Sequence, residues 1–142
     1  RFSNPGQVVS FNNLYANILF SSGLLGFIWF SIISSSRGKQ GYLSKAQCNQ
    51  IIEKEGSFAT AVLLDVSGKL GRQFQAKTTP HMYVIDAKGY LAYKGAIDSV
   101  RSTRLGDVKL ANNFVSLALN SLLQNRRIQT TDTKPYGCSI KY

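Results

Sequence analysis

Signals for helices and strands alternate along most of this 142-residue chain, and that alternation is the strongest constraint on its fold. Ser44 followed by Gln47 forms a capping box, which predicts a helix that ends at Gly56. Residues 59–64 (ATAVLL) predict a short buried strand, and a short helical turn is predicted at residues 70–74. Strands that alternate with helices favour a mainly parallel sheet that helices cover on both faces.

The second half of the chain adds a hairpin and a closing helix to this pattern. Residues 82–85 and 91–93 read as two strands, and the connection between them is short enough to require an antiparallel hairpin. Asp107 is predicted to cap a helix whose apolar residues recur at helical spacing as far as Leu122. The predicted fold class is therefore α/β, with a mixed sheet, helices on both faces and a C-terminal β-hairpin plus helix.

Two segments have no such pattern. Residues 126–142 show no hydrophobic period, so we interpret them as a C-terminal arm, either ordered or loose, that follows a domain of residues 1–125. Residues 18–33 are uncharged and apolar, but they are too few for the ~20 residues that a membrane-spanning helix needs. We expect the end of a buried helix, a glycine-containing turn and a buried strand at 27–33. The alternative interpretation makes residues 17–33 a membrane anchor.

The charge of the chain indicates the kind of partner that it meets. Seventeen Lys and Arg against seven Asp and Glu give a formal net charge of +10, which favours acidic partners such as an acidic protein surface, nucleic acid or anionic lipid. The basic residues are spread along the chain, and Arg126-Arg127 is the only adjacent pair. We therefore expect protein partners in a large assembly, for which a membrane-bound complex is one alternative. Any binding of nucleic acid is expected to be non-specific and to come from the net positive charge.

Cysteine and histidine are too few for most metal and redox sites. Cys48 and Cys138 are the only cysteines and no CxxC motif occurs, which excludes zinc ribbons and disulfide-dense scaffolds. His81 is the only histidine, so neither a metal site nor a cofactor is predicted. We interpret Cys48 as a small core residue, with a Cys48–Cys138 disulfide as the alternative.

Three blocks of the chain resemble one known family. Residues 29–43 (WFSIISSSRGKQGYL) resemble the second strand of redoxins and the loop after it. Residues 61–99 are similar to the most recognisable stretch of that family, and residues 135–142 (PYGCSIKY) to its C-terminal signature. Redoxins are the thioredoxin-fold branch related to peroxiredoxins and thiol-specific antioxidant proteins. The resemblance implies a thioredoxin-like sandwich.

The resemblance also implies a site. Pro80 has no N–H to donate and precedes a strong strand signal, so it marks the start of a strand or a bend. In redoxins Thr79-Pro80 would be a cis-proline turn beside the active site, where the Thr79 backbone could pair with an extended peptide. We therefore predict a partner-binding set of Thr79, Pro80 and His81. The alternative for His81 is a hydrogen-bonded, inert histidine.

The nucleophile of the family is missing. Asn4-Pro5 resembles the pair that precedes the reactive cysteine of redoxins, which places Gln7 at the degenerate active-site position. An amide cannot attack a peroxide or a disulfide. Only three residues precede Asn4, too few for a central strand of ~5–6 residues, so we expect residues before Arg1 or another chain to supply that strand.

Two functional hypotheses follow from these observations. The first is a catalytically degenerate redoxin that acts as a structural or protein-binding subunit of a larger complex and is not an enzyme. The second is a thiol-disulfide oxidoreductase or one-Cys peroxidase that uses Cys138. The resemblance favours an organelle (mitochondrion or plastid) or export over the cytoplasm.

Overall fold

The computed structural model describes residues 16–21, 26–102 and 104–142. This part of the chain forms a mixed α/β fold of seven strands and four helices. In chain order the elements are β1 (Ala16–Ser21), β2 (Phe27–Ile33), α1 (Lys45–Glu55), β3 (Ala61–Leu64), α2 (Lys69–Gln73), β4 (Thr78–Thr79), β5 (His81–Ile85), β6 (Leu91–Gly95), α3 (Leu105–Leu110), α4 (Phe114–Leu123) and β7 (Cys138–Ser139).

Five of these strands form the main sheet, in the order β3-β2-β1-β5-β6. Strand β2 runs parallel to β3, and β1 runs parallel to β5. Strands β1 and β2 are antiparallel, as are β5 and β6, which confirms the predicted hairpin. Strands β4 and β7 form a separate two-stranded sheet. The sheet is therefore mixed, as predicted.

The centre of the main sheet is occupied by β1. Leu19 pairs with Trp29 of β2 on one side and with Val84 of β5 on the other, so this position needs no strand from another chain. The prediction that a buried helix ends in this segment is wrong. A segment between two strands can pair its backbone N–H and C=O groups with both neighbours only when it is extended. The membrane-anchor interpretation of residues 17–33 is also wrong, since Trp29 lies in a sheet ladder.

The helices that the structure describes are all too short or too polar to cross a membrane. Gln7, the predicted degenerate active-site position, lies outside the described residues.

Helices cover the sheet on both faces because the side chains of a strand alternate between them. Tyr83 and Ile85 of β5 face one side, where Leu70 and Phe74 pack against them. The neighbouring β5 side chains face the other side and pack with Val115 of α4. Cys48 and Ile52 of helix α1 pack against Ile33, together with Leu43, which precedes the helix. The buried position of Cys48 agrees with its predicted role in the core.

Helix α1 begins and ends at the predicted residues. The Ser44 hydroxyl accepts a hydrogen bond from the Gln47 N–H, and the Gln47 side chain accepts one from the Ser44 N–H, so both halves of the capping box are present. Gly56 ends the helix in the left-handed conformation, with φ of 59°. That conformation suits a residue with no Cβ.

The single helix predicted after Asp107 is wrong, because the chain forms two helices there. Asp107 lies in the first turn of α3, where its carboxylate accepts a hydrogen bond from the Ser102 hydroxyl. The residue that caps α4 is Asn113, whose side-chain oxygen accepts from the Ser116 N–H at 2.8 Å. The break arises because Asn112 exchanges hydrogen bonds with Ser99, which holds the segment between the helices extended.

The cap of α4 can be tested with two neighbouring asparagines. We expect Asn113→Ala to lower the free energy of unfolding by about 1 kcal/mol, because the Ser116 N–H loses its acceptor. Asn112→Ala is the matched control, since only the backbone of this exposed residue is engaged. Urea denaturation measures both. Equal losses in the two variants would show that the Asn113 side chain does not stabilise the helix.

Candidate functional site

The candidate site lies at the turn before β5. The Thr79-Pro80 peptide bond is cis, as the redoxin resemblance implies. Pro80 is partly buried and stands directly before His81, the first residue of β5. Thr78 and Thr79 form the two-residue strand β4 just before it. Of the two predicted positions for Pro80, the start of a strand or a bend, the structure shows the bend, because Pro80 lies between β4 and β5.

The C-terminal arm reaches this turn and pairs with it. Thr79 lies opposite Cys138 and Thr78 opposite Ser139, in antiparallel register. Gly137 precedes this pair with φ of 133°, and a Cβ there would overlap the Thr79 carbonyl oxygen. The backbone edge that was predicted to receive an extended peptide is thus occupied by residues of the same chain.

The arm is ordered from the point where it passes the edge strand β6. Lys94 donates its N–H to the Thr131 carbonyl at 3.0 Å and accepts one from the Thr133 N–H at 3.1 Å. The Thr133 hydroxyl also accepts from the Ala96 N–H at 2.9 Å. The Lys94 ammonium and the Asp132 carboxylate form an ion pair of 3.2 Å. Residues 131–133 of the arm thus lie along the edge of β6.

Tyr136 fixes the arm between β6 and the turn. Its hydroxyl donates a hydrogen bond to the Asp98 carboxylate, which also accepts the Val100 N–H at 2.9 Å. Burial, and then this hydrogen bond and the charge of Asp98, raise the pKa of the Tyr136 hydroxyl. The phenol therefore stays protonated and remains a donor at neutral pH.

The last residue of the arm packs against α2. The Tyr142 hydroxyl donates to the Ala76 carbonyl at 2.9 Å, and the Arg72 guanidinium lies 4.5 Å from the centre of its ring. Gly68 and Gly71 make room for this ring, because a Cβ at either position would collide with it. The glycines of α2 and the aromatic end of the arm are therefore complementary in shape.

Asp65 links the ends of β2, β3 and α2 beneath this contact. Its carboxylate is buried and accepts hydrogen bonds from the Ser34 hydroxyl at 2.8 Å and the Gly71 N–H at 2.9 Å. Burial alone would raise the pKa of this carboxyl, but the hydrogen bonds from Gly71 and Ser34 hold it below the ordinary value. The charged Asp65 carboxylate is thus bound by hydrogen bonds inside the fold and does not face the surface.

His81 is buried and hydrogen-bonded rather than open to a partner. Its Nδ1 accepts the Lys77 N–H at 3.3 Å and lies 2.9 Å from the Tyr83 hydroxyl, whose one proton can go to this nitrogen or to the Phe74 carbonyl. Burial, and then the positive charges of Lys77 and Lys94, lower the pKa of the ring to about 4. At neutral pH the ring is therefore uncharged.

The two cysteines differ in environment and are not bonded to each other. The Cys138 thiol is exposed, whereas Cys48 is buried on the side of α1 that faces the sheet, and burial raises the pKa of its thiol. Thr79, Pro80 and Cys138 are therefore brought together, and the Nδ1 of His81 is engaged by Lys77 and Tyr83 instead.

Some residues of the site were missed from the sequence: Tyr136, Gly137, Tyr142, Asp65 and Asp98. The signal for Gly137 was present, since a glycine inside an extended segment often marks a close backbone approach. Within the described ranges, no three His, Cys, Asp or Glu side chains are grouped to hold a metal ion.

The close contact at Gly137 gives a stability prediction. We expect Gly137→Ala to cost about 1–3 kcal/mol, because the added Cβ forces β7 away from Thr79. Gly89→Ala is the matched control, since Gly89 also has a positive φ but has open space around it. Urea denaturation gives the loss in stability, and hydrogen exchange of residues 137–139 reports on the pairing. If both variants lose the same amount, the close contact contributes nothing.

The environment of His81 gives a pH prediction. The pKa of the ring is about 4 in the folded chain and ordinarily 6.5, so between these values the unfolded chain binds more protons. His81 therefore does not lower the free energy of unfolding above about pH 6.5. Below that pH the free energy of unfolding falls as the pH drops toward 4. His81→Gln removes this dependence, and the difference between the two proteins in urea denaturation isolates it from the carboxylates.

NMR titration tests the same point directly, because the chain has a single histidine. A folded-state pKa of 6 or above would contradict the buried, uncharged ring.

Comparisons with known proteins give a likeness of fold. No protein-family model and no curated protein matches the chain. An uncharacterized conserved protein from Geobacillus kaustophilus matches with a TM-score of 0.71 and 19% identity, over 92% of this chain and 78% of that one. A hypothetical protein from Sinorhizobium meliloti 1021 matches with a TM-score of 0.70 and 17% identity, over 92% and 81%. The chain thus shares its mixed α/β fold with these two bacterial proteins.

Proposed function

We propose that this protein is a catalytically degenerate thioredoxin-like domain of the redoxin type, which acts as a structural or protein-binding subunit of a larger assembly. Three features support the thioredoxin-like assignment: a mixed sheet with helices on both faces, a hairpin followed by a helix, and a proline turn before β5. The resemblance of residues 29–43, 61–99 and 135–142 to redoxins supports the same family.

The pairing of Thr79 with Cys138 is the observation that carries the proposal. In redoxins the active site would lie beside this turn, and the Thr79 backbone is the edge that an extended substrate would use. Here the arm occupies that edge, and Tyr136 and Tyr142 anchor the arm on either side of β7. A substrate would have to displace all of these contacts, so the arrangement suits a fixed scaffold better than turnover.

The predicted loss of the nucleophile supports the same conclusion. Gln7 stands where the resemblance places the reactive cysteine, and an amide has no nucleophilic sulfur. The formal charge of +10 favours a role beside acidic partners. Together these features fit a domain that is retained for its shape and surface.

A second candidate function is thiol chemistry at Cys138, because this exposed residue pairs with Thr79, which directly precedes Pro80. In a disulfide exchange the Cys138 thiolate would attack one sulfur of a substrate disulfide, forming a mixed disulfide and releasing the other sulfur as a thiolate. A small thiol such as glutathione would then have to resolve that mixed disulfide. Cys48 is unsuited to this role because it is buried between α1 and β2.

Turnover assays separate the two candidates. Wild-type protein and Cys138→Ser are compared in peroxide reduction and in insulin-disulfide reduction, each with dithiothreitol or glutathione as the reductant. We expect the two proteins to give the same rate as the reaction without protein, because the chain has Gln7 where the resemblance places the reactive cysteine. Circular dichroism checks that both are folded. A wild-type rate well above that of Cys138→Ser would overturn the proposal and establish thiol catalysis.

A further inference from the structure

A basic surface lies where residues 34–42, α2 with its flanking turns, and the end of the arm meet. We call it the basic face. It contains six exposed basic side chains from three distant parts of the sequence: Arg37, Lys39, Lys69, Arg72, Lys77 and Lys141. Tertiary structure is needed to bring them together, since the first and last of them are more than a hundred positions apart.

Hydrogen bonds hold the three segments of the basic face in place. The Ser36 N–H donates to the Lys141 carbonyl at 3.2 Å, and the Ser36 hydroxyl donates to the Val66 carbonyl at 3.4 Å. The Ile140 N–H donates to the Lys77 carbonyl at 3.4 Å. These contacts join the three segments, so the fold brings the parts of the chain that carry the basic residues next to one another.

The charges of the basic face have no counter-charge on it. Residues 34–42, 65–77 and 139–142 contain one acidic side chain, Asp65, which is buried and hydrogen-bonded inward. Across the described part of the chain, the ion pair that forms is Lys94–Asp132, and neither residue belongs to the basic face. Clustered like charges raise the free energy of the fold and attract anionic ligands.

The two arginines of the basic face are held in defined positions. Arg72 donates a hydrogen bond to the Ser67 carbonyl at 2.6 Å while its guanidinium lies over the Tyr142 ring. The Arg37 guanidinium lies 5.9 Å from the centre of the Tyr42 ring. An arginine held in this way loses less side-chain entropy when it binds, and its planar fork matches a carboxylate.

The same stacking distinguishes between the two macromolecular ligands that a basic surface attracts. Proteins that bind single-stranded nucleic acid combine positive charge with aromatic rings that stack on bases. On the basic face an arginine guanidinium already lies over each of the rings of Tyr42 and Tyr142. We propose that the basic face binds an acidic segment of a protein partner, rich in Asp and Glu. This inference rests on the proposed function, because it names the chemistry of the partner.

Charge-reversal variants test the basic face. The first variant combines Lys39→Glu, Lys69→Glu and Lys141→Glu, which leaves the stacked arginines intact. The matched control combines Lys54→Glu, Lys88→Glu and Lys109→Glu, exposed lysines outside the three segments. Both variants change the net charge by the same six units. The probe is a fluorescein-labelled peptide of about twelve glutamates, and anisotropy at low salt measures its binding.

We expect the wild-type protein to bind the glutamate peptide, and the affinity to fall about tenfold or more in the first variant because three like charges then face the ligand. The control variant should lose much less affinity. Equal losses in the two variants, or no binding to the wild-type protein at low salt, would overturn the proposal. Should a triple variant fail to fold, the single reversals Lys39→Glu and Lys88→Glu provide the same contrast.

A single-stranded oligothymidylate of the same charge tests the class of partner. Tighter binding of this DNA than of the glutamate peptide, lost in the first variant, would overturn the assignment to an acidic protein segment. The result is independent of the turnover assays. Failure of the peptide to bind leaves the comparison with Cys138→Ser unchanged, and turnover that depends on Cys138 leaves the peptide result unchanged.

Discussion

The backbone pairing of the C-terminal arm with the turn before β5 is the interaction on which the candidate site depends. Thr78 and Thr79 would otherwise present an open edge, and β6 would present another beside Lys94. Open edges are available to any extended chain. Because the arm covers both edges, the backbone groups at these edges are paired within one molecule. Cys138 pairs with Thr79 in that contact and remains exposed.

The arm also organises the charge of the molecule. Where it ends, Tyr142 packs on the glycines of α2 and places Lys141 beside residues 34–42. The carboxylate in this region, Asp65, is buried and tied to Ser34 and Gly71, so it joins the sheet to α2 and offers no counter-charge at the surface. The packing of the arm on α2 and the meeting of the segments of the basic face therefore depend on the same contacts.

Features set by neighbouring residues could be predicted from the sequence. The capping box of α1 needs only Ser44 and Gln47, and the β5–β6 hairpin needs only a short connection between two strands. Features set by distant residues could not. The break between α3 and α4 depends on hydrogen bonds between Asn112 and Ser99, whereas the local pattern favours one continuous helix. Strand β1 was missed for the same reason, because its neighbours in the sheet impose the extended form.

The sequence by itself determined which segments are helical or extended wherever capping residues, short connections and alternating side chains act locally, and it determined the excess of positive charge. Only the tertiary structure decided that the arm fills the edge beside Pro80, that His81 is buried and uncharged, and that six basic side chains share one face. The physical reason is that burial, strand pairing and the summed field of charges depend on distances in space. Residues far apart in the chain acquire those distances only when the sheet and the arm are assembled.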